Sequence, residues 1–355
     1  MPSTTRGSLT LAGAGVTSIG HLTLQTVSAI ENADIVCYIL NDPVTEAFII
    51  KKNPNVYDLY QLYDDGKPRI ETYHQMVEVL MSKVRSGQDV VGLFTGHPGV
   101  VNTPAAQAFK IARQEGYTAR MLPGITTNDA LLADVVADPA LGGAMAYEAT
   151  DFLNNNRVLH PEMNVFIQQV GVVGNKHFNF MEMRSSLLDK LIDRLEETYG
   201  GEKEIIHYIA PMLPIDKPVM QKMTVSDLKK PEYKAKIVPS STFYITPNEQ
   251  LSSVLDSTEG KKLHREAMSA LANHTHGKNY APMKENLALT EALERLALEP
   301  KSLEAYRSDP QSYVNENGRG LTEEERKALV TGRGIRELLS DGPVAAHRIA
   351  PLALV

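Results

Sequence analysis

The chain has 355 residues, 43% of them hydrophobic, with one cysteine and a formal net charge of −7. That length and apolar content support a large core in two or three domains, and the acidic balance without any lysine or arginine run argues against a nucleic-acid binder. The lone Cys37 excludes an intrachain disulfide framework and a Cys-rich metal site, while the lack of an apolar stretch after Arg6, or of any run approaching ~20 apolar residues, argues against secretion and a membrane span.

An intracellular, cytoplasmic protein is the expectation. Ser8 to Ala12 reads as a short strand ending in Gly13-Ala14-Gly15, followed by a helix around His21 to Ile30 and a strand from Ile35 to Leu40. This β-α-β start does not match a dinucleotide fingerprint. Val16, Thr17 and Ser18 follow Gly15, the next glycine is Gly20, and Asp42, where a ribose ligand would stand, is followed at once by Pro43.

Val56 to Leu59 and the turn Asp64-Asp65-Gly66-Lys67 precede a helix opened by Pro68 and closed by Gly87, with an apolar stripe of Ile70, Tyr73, Val77, Leu80 and Val84. Next comes Val90-Val91-Gly92-Leu93-Phe94-Thr95-Gly96-His97-Pro98-Gly99-Val100-Val101, a buried strand running into a Gly/Pro turn. Ligands bind beyond the carboxyl ends of strands in open α/β sheets, and the flanking glycines permit close approach to backbone. A plain strand-to-helix turn is equally consistent, because Asn102-Thr103-Pro104 opens a helix to Gly116. Thr118 to Leu122 is the next strand, and the turn Pro123-Gly124-Ile125-Thr126 follows.

The loose stretch Ala137 to Pro161 is expected to hold the boundary between two α/β subdomains. The second is expected to contain strands at Asn164 to Val170, Glu204 to Ala210 and Ser241 to Thr246, with a helix at Met183 to Tyr199. After Pro247 helix formers dominate Asn286 to Leu298 and Leu321 to Leu339, and Thr322 with Glu325 makes a capping box. Pro343 and Pro351 prevent the apolar segment from Asp341 to Val355 from being one helix. No metal site is expected: the ten histidines are scattered and His274-Thr275-His276 reads as surface. A serine-hydrolase elbow and a Walker-type phosphate loop are also missing from the sequence.

Six ordered segments resemble the class III S-adenosylmethionine-dependent tetrapyrrole methylases. They are Gly13-Ala14-Gly15, Gly96-His97-Pro98-Gly99, Leu122-Pro123-Gly124-Ile125-Thr126, Tyr147-Glu148-Ala149-Thr150-Asp151, Gln168-Gln169-Val170-Gly171 and Ser241-Thr242-Phe243-Tyr244. The likeness is closer to the borosin precursors, in which such a methyltransferase is fused to its own peptide substrate, and covers roughly residues 7 to 247. His97-Pro98 stands where tetrapyrrole methylases usually have Asp-Pro, as it does in borosins. The implied fold is α/β: a methyltransferase of two subdomains over residues 1–247, a helical clasp and substrate-recognition region over 248–340, and a carboxyl-terminal core peptide over 341–355.

The resemblance implies that S-adenosylmethionine lies between the subdomains, against Pro98, Val100, Val101, Thr126, Gln168, Tyr208, Ala210, Ser241 and Thr242, and leaves as S-adenosylhomocysteine. It also implies a catalytic Tyr-Arg-Tyr set, matched by Tyr63, Arg69 and Tyr73, in which a guanidinium lowers the pKa of a phenolic base or stabilises charge on a carbonyl oxygen. Spacing alone reads Tyr73 as a core aromatic and Tyr63 and Arg69 as surface residues beside a turn. The helical part resembles the small substrate-binding domains of separate borosin precursor peptides, here fused; a plain dimerisation module is the alternative. The resemblance further implies a homodimer and self-methylation at Ile349, Ala350, Leu352, Ala353, Leu354 and Val355, with Pro351 skipped for want of an N–H. Two other readings stay open: a tetrapyrrole C-methyltransferase with an added helical module, and a non-catalytic nucleotide-binding protein that recruits partners.

Overall fold

Near-continuous apolar runs such as Leu9 to Ala12 and Val90 to Phe94 suit strands buried on both faces, and they form the centre of a parallel sheet. A computed structural model describes residues 7–180, 185–248, 257–271 and 286–339. The described residues divide into two units, 1–251 and 252–355. His274 to His276 and the six proposed substrate positions from Ile349 to Val355 lie outside the described residues.

The first lobe of the larger unit runs β1 (Ser8–Gly13), α1 (Leu24–Asn32), β2 (Ile35–Ile39), α2 (Pro43–Lys52), β3 (Val56–Asp58), α3 (Arg69–Arg85), β4 (Asp89–Phe94), α4 (Thr103–Gln114) and β5 (Thr118–Met121). Its strands are parallel in the order β3-β2-β4-β1-β5. Leu80, Met81 and Val84 of α3, with Ala105, Ala108 and Ala112 of α4, pack one face, and Ala29, Ile30 and Ile49 of α1 and α2 pack the other. The buried side of α3 is Thr72, Met76, Val77, Leu80, Met81 and Val84, so Ile70 leaves the expected stripe and is 54% exposed. Asp42 caps α2, its Oδ1 accepting from the Val44 and Thr45 N–H groups, and Pro43 occupies the first turn. The Asp-Pro pair that failed as a nucleotide signature is therefore a helix start.

The second lobe contains α5 (Thr127–Val135), β6 (Ala144–Glu148), α6 (Ala149–Asn154), β7 (Asn164–Gln168), α7 (Leu188–Tyr199), β8 (Glu204–Ile209), β9 (Val219–Thr224), α8 (Pro231–Lys234) and β10 (Thr242–Ile245). Its sheet order is β6-β7-β10-β8-β9, with only β6 and β7 parallel. The lobe crossing precedes the expected stretch from 137 to 161. Leu131, Leu132 and Val135 of α5 pack on Phe166, Tyr208 and Tyr244, and the Tyr208 hydroxyl donates to Asp134 at 2.7 Å, so the chain has already changed sheets by Thr127.

The smaller unit contains α9 (Thr258–Leu271), α10 (Leu287–Leu298), α11 (Pro300–Ser308), α12 (Pro310–Asn317), α13 (Glu323–Thr331) and α14 (Ile335–Leu338). Leu289, Val314, Leu321 and Leu329 form its core, and the Thr322/Glu325 capping box is present at α13. The stretch from Leu321 to Leu339, where helix formers dominate, forms two helices because Gly332 ends α13 in the left-handed region. No helix of the described residues is long and apolar enough to cross a membrane.

Candidate active site

A cavity of about 1040 Å³ opens where the carboxyl edge of the parallel sheet faces the second lobe. Loops following β1, β2, β4 and β5 supply Gly15, Asp42, Gly96, Val100 and Thr126, the edge at which open α/β sheets bind ligands. The second lobe adds Gln168, the last residue of β7, Ala210, just after β8, and Thr242, which opens the antiparallel β10 at the same edge.

Three glycines allow these loops to meet. A Cβ on Gly13 would lie 2.3 Å from Gly96 O, and one on Gly124 would lie 2.4 Å from that same oxygen, so backbone packs directly on backbone. Gly15 and Gly96 exchange hydrogen bonds of 3.2 and 2.8 Å across the cavity floor. His97 Nδ1 accepts the Gly99 N–H at 2.8 Å. A carboxylate in that place could accept the same bond, so the imidazole keeps the turn without adding a negative charge. Val101, in the cavity wall, has φ 50, an uncommon conformation for a β-branched residue.

Tyr63, Arg69 and Tyr73 all line this cavity. Arg69 opens α3, so Tyr73 follows one turn later, and Tyr63 hydrogen-bonds to Tyr73. Their setting depends on a strap from the second lobe. Gly66 N–H donates to Phe178 O, Phe178 N–H to Lys67 O, and the Arg69 N–H to Lys176 O, all within 2.9–3.0 Å. The Arg69 guanidinium Nη2 donates to Asn175 O, whereas its buried Nε has no partner. Burial pushes the Tyr63 phenol up, the neighbouring Tyr73 adds to this, and Arg69 opposes it. The expected lowering of a phenol by the guanidinium is thus reversed at Tyr63, because burial wins.

Aromatic rings that sequence reasoning missed surround this end of the cavity. Phe178 stacks on Tyr63, Phe180 meets Phe178 edge-on at 4.8 Å, and Tyr60 lies edge-on to both Tyr63 and Phe178. The alternation in Phe178-Asn179-Phe180 was the available signal, but it was too short to distinguish from a loop. A second strap closes the other lobe contact: Thr17 Oγ1 donates to Pro211 O at 2.8 Å and Ser18 N–H to Met212 O at 2.8 Å. The Ser18 hydroxyl also donates to Asp42 at 2.5 Å. Burial pushes the Asp42 carboxyl up, but hydrogen bonds from Ser18, Thr45 and Val44 outweigh it and hold the group below its usual range.

Among the residues implied for the cofactor, Val100, Val101, Thr126, Gln168, Ala210 and Thr242 line the cavity, whereas Pro98, Tyr208 and Ser241 do not. Pro98 is buried in its turn and Tyr208 is fully buried against α5. Ser241 is also fully buried, with its Oγ 2.7 Å from His207 Nε2. Thr126 caps α5 in a reciprocal pairing with Asp129. Among the described residues, no group of histidine, cysteine, aspartate or glutamate could hold a metal ion.

The sequence profile of the Tetrapyrrole (Corrin/Porphyrin) Methylases matches residues 8–210, and that of the Borosin biosynthesis clasp domain matches residues 260–341. A methyltransferase/type I borosin cyclic peptide precursor of Coprinopsis marcescibilis is 41% identical over 354 residues, covering 92% of this chain and 90% of its own length. The chain belongs to the borosin methyltransferase/precursor fusions. The lentinulin A precursor of Lentinula edodes is also 41% identical, over 92% of this chain and 86% of its own. The omphalotin A precursor of Omphalotus olearius is 40% identical over 93% and 86%. Such coverage exceeds what residues 1–247 could supply, so the likeness to fused precursors continues into the helical part, where separate precursor peptides had been the expected match. The fold also matches a cobalamin biosynthetic enzyme, cobalt precorrin-4 methyltransferase, at 17% identity and a TM-score of 0.50 over 69% of this chain and 97% of that one. The enzyme is thus a methyltransferase of the tetrapyrrole methylase family fused to a ribosomal peptide precursor.

Proposed function

We propose that this chain uses S-adenosylmethionine to methylate, one after another, backbone amide nitrogens in its own segment 341–355, in the biosynthesis of an N-methylated peptide. The observation that carries the reading is a single cavity gathering both Tyr63, Arg69 and Tyr73 and the wall formed by Val100, Val101, Thr126, Gln168, Ala210 and Thr242. In this reading residues 1–247 are the catalyst, 248–340 the clasp and recognition region, and 341–355 the core peptide. The relatives, each a methyltransferase and cyclic peptide precursor in one chain, support it.

The wall fits the cofactor. A Cβ on Gly96 would meet nothing nearer than Val16 Cγ1 at 4.0 Å, so bare backbone faces open cavity there. Thr126, Gln168 and Thr242 offer polar groups, the two valines and Ala210 an apolar surface, and the ionised Asp42 a negative charge. When bound, S-adenosylmethionine supplies an electrophilic methyl group on a sulfonium.

The chain's own residues must overcome the delocalised lone pair of the amide nitrogen. Arg69 and a phenol can donate to the peptide oxygen and stabilise the charge that builds there as the N–H proton departs. Tyr63, raised by burial, is a hydrogen-bond donor in the chain by itself; it becomes a base only where further positive charge joins that of Arg69. The amide N–H would give up its proton to a phenolate and then solvent, and the new N–C bond would replace the sulfonium S–CH3 bond, leaving S-adenosylhomocysteine as a neutral thioether. The rings of Tyr60, Phe178 and Phe180 offer an apolar surface that suits apolar side chains of the tail.

A homodimer, the helical region of one chain embracing the other, completes the reading. In its support, α9 exposes Leu263, Met268 and Leu271, apolar groups a partner would cover. Intact mass of the purified full chain tests the activity: increments of whole CH2 units are expected, and an unchanged mass after incubation with S-adenosylmethionine refutes it. Light scattering at micromolar concentration tests the dimer, which a monomeric mass excludes.

A further inference from the structure

His207 is 1% exposed in the centre of β8, where the period of the strand turns it away from the Tyr208 side and toward Phe243, whose ring it meets edge-on at 6.2 Å. Its Nε2 lies 2.7 Å from Ser241 Oγ, and Nδ1 is buried without a partner. Ser241 Oγ in turn accepts the Val238 N–H at 2.9 Å, the Ser241 N–H returns to Val238 O at 2.9 Å, and Ser241 O accepts the Val170 N–H at 3.1 Å. One imidazole nitrogen therefore sits beneath a closed turn running from Val238 to Ser241. Pro239 and Ser240 of that turn, and Thr242 just beyond it, line the cavity. Gly171 presses on the turn from below, since a Cβ there would lie 2.1 Å from Val238 O.

A buried polar pair of this kind has a cost. Removing the imidazole nitrogens from water is unfavourable, the pair forms one mutual hydrogen bond, and Nδ1 is left orphaned. An apolar residue beside Phe243 would meet the packing requirement without that cost. The imidazole also cannot serve as a proton carrier: it does not line the cavity, and burial with Lys236 nearby keeps it neutral. What remains is its geometric effect on Ser241.

We infer that His207 is a positioning residue: through Ser241 it holds the Val238–Thr242 turn in the conformation that presents Ser240 and Thr242 to the cofactor. The inference rests on the S-adenosylmethionine reading above. It gives Ser241, implied by family resemblance as a cofactor contact, a place behind the wall, and it separates cofactor binding from the chemistry at Tyr63, Arg69 and Tyr73, which come from the other lobe.

The test uses the full chain and calorimetric titration with S-adenosylhomocysteine, together with KM for S-adenosylmethionine and kcat for tail methylation. His207→Phe keeps ring and volume but removes both nitrogens, Ser241→Ala removes the hydroxyl, and His207→Gln retains an amide nitrogen near the Nε2 position. Each of the first two is expected to weaken binding and raise KM about three- to tenfold, the size of one lost hydrogen bond, with kcat changed less than twofold. The double variant should be no worse than either single one, and His207→Gln should recover most of the affinity. Unchanged affinity in folded Ser241→Ala protein overturns the inference while leaving the cofactor reading intact. A wild-type chain that does not bind S-adenosylhomocysteine overturns both. If His207→Phe fails to fold, Ser241→Ala and His207→Gln decide by the same criteria.

Discussion

The ring of Phe178 lies 4.2 Å from that of Tyr63, nearly parallel to it at 25°. One comes from the strap of the second lobe and the other from the segment before α3, so the orientation of a proposed catalytic phenol is set by residues 115 positions away in sequence. Phe178→Ala is expected to remove this support. Its ring is 6% exposed, and truncation of such a group costs about 3–5 kcal/mol. Methylation should fall at least tenfold in protein that still folds, while affinity for S-adenosylhomocysteine changes less than threefold. Equal loss of both would show that the ring supports the cavity as a whole instead.

Tyr63→Phe, Tyr73→Phe and Arg69→Lys should each preserve the fold and cofactor binding and lower the methylation rate by roughly 10²-fold or more, the usual scale of acid–base and oxyanion contributions. Arg69→Lys is not conservative, since Nη2 holds Asn175 O and a lysine has no planar fork. Single-turnover mass spectrometry reads the effect. Full methylation by all three variants would return these residues to packing.

His207 gives stability a pH dependence. Burial, aided by Lys236, pushes its imidazole down to about 4, whereas in the unfolded chain it titrates near its ordinary 6.5. Between those values the unfolded chain binds more protons, so this contribution is complete above about pH 6.5 and is lost as pH falls through 4, amounting to roughly 3 kcal/mol. Urea unfolding at pH 7 and pH 4.5 should show the decline, and His207→Phe should flatten it. A slope unaltered by the substitution would place the titrating group elsewhere.

Gly124→Ala tests the backbone contact at the cavity floor. Its Cβ would lie 2.4 Å from Gly96 O and 2.8 Å from Gly13 Cα, neither of which is a flexible side-chain end. The loops after β1, β4 and β5 must then separate. A drop in stability of about 1–3 kcal/mol, typical of overpacking, is expected together with loss of S-adenosylhomocysteine binding by tenfold or more. Retained affinity would mean that the floor does not shape the cofactor site.

Methylation of the tail is expected among Ile349, Ala350, Leu352, Ala353, Leu354 and Val355, with Pro351 passed over because it has no N–H. Tethering keeps the effective concentration high, so weak contacts per residue suffice. Tandem mass spectrometry of the carboxyl-terminal proteolytic fragment locates each group. An unmodified fragment from protein expressed with ample donor would remove the self-substrate proposal even if another peptide were accepted.

Local pattern alone located β1, β2, β4, β7, β8 and β10, the α3 and α7 helices, and the Thr322/Glu325 cap, because apolar period and capping chemistry are carried by neighbours in sequence. It also pointed to the family, since six glycine- and proline-marked turns occur in a fixed order. It did not reveal α2, α5 or β9. The Pro43 that begins α2 read as an interruption, and α5 follows a turn with no break in its apolar content.

Tertiary structure decided the rest. Where the chain changes lobes was invisible, because Leu131, Leu132 and Val135 announce that they will be buried but not that Phe166, Tyr208 and Tyr244 will bury them. Side-chain direction at the cavity was equally hidden: Thr242 enters the wall while its neighbour Ser241 turns to His207. The sign of the influence on Tyr63 also depended on the assembled cavity. The family resemblance implies a phenol made more acidic by the guanidinium, whereas burial of Tyr63, on which Phe178 stacks, raises it. By itself the sequence determined which elements form, which family they compose and which residue types are available for the chemistry; burial, which comes from contacts between distant segments, decided what each of those residues faces and which form of it is stable there.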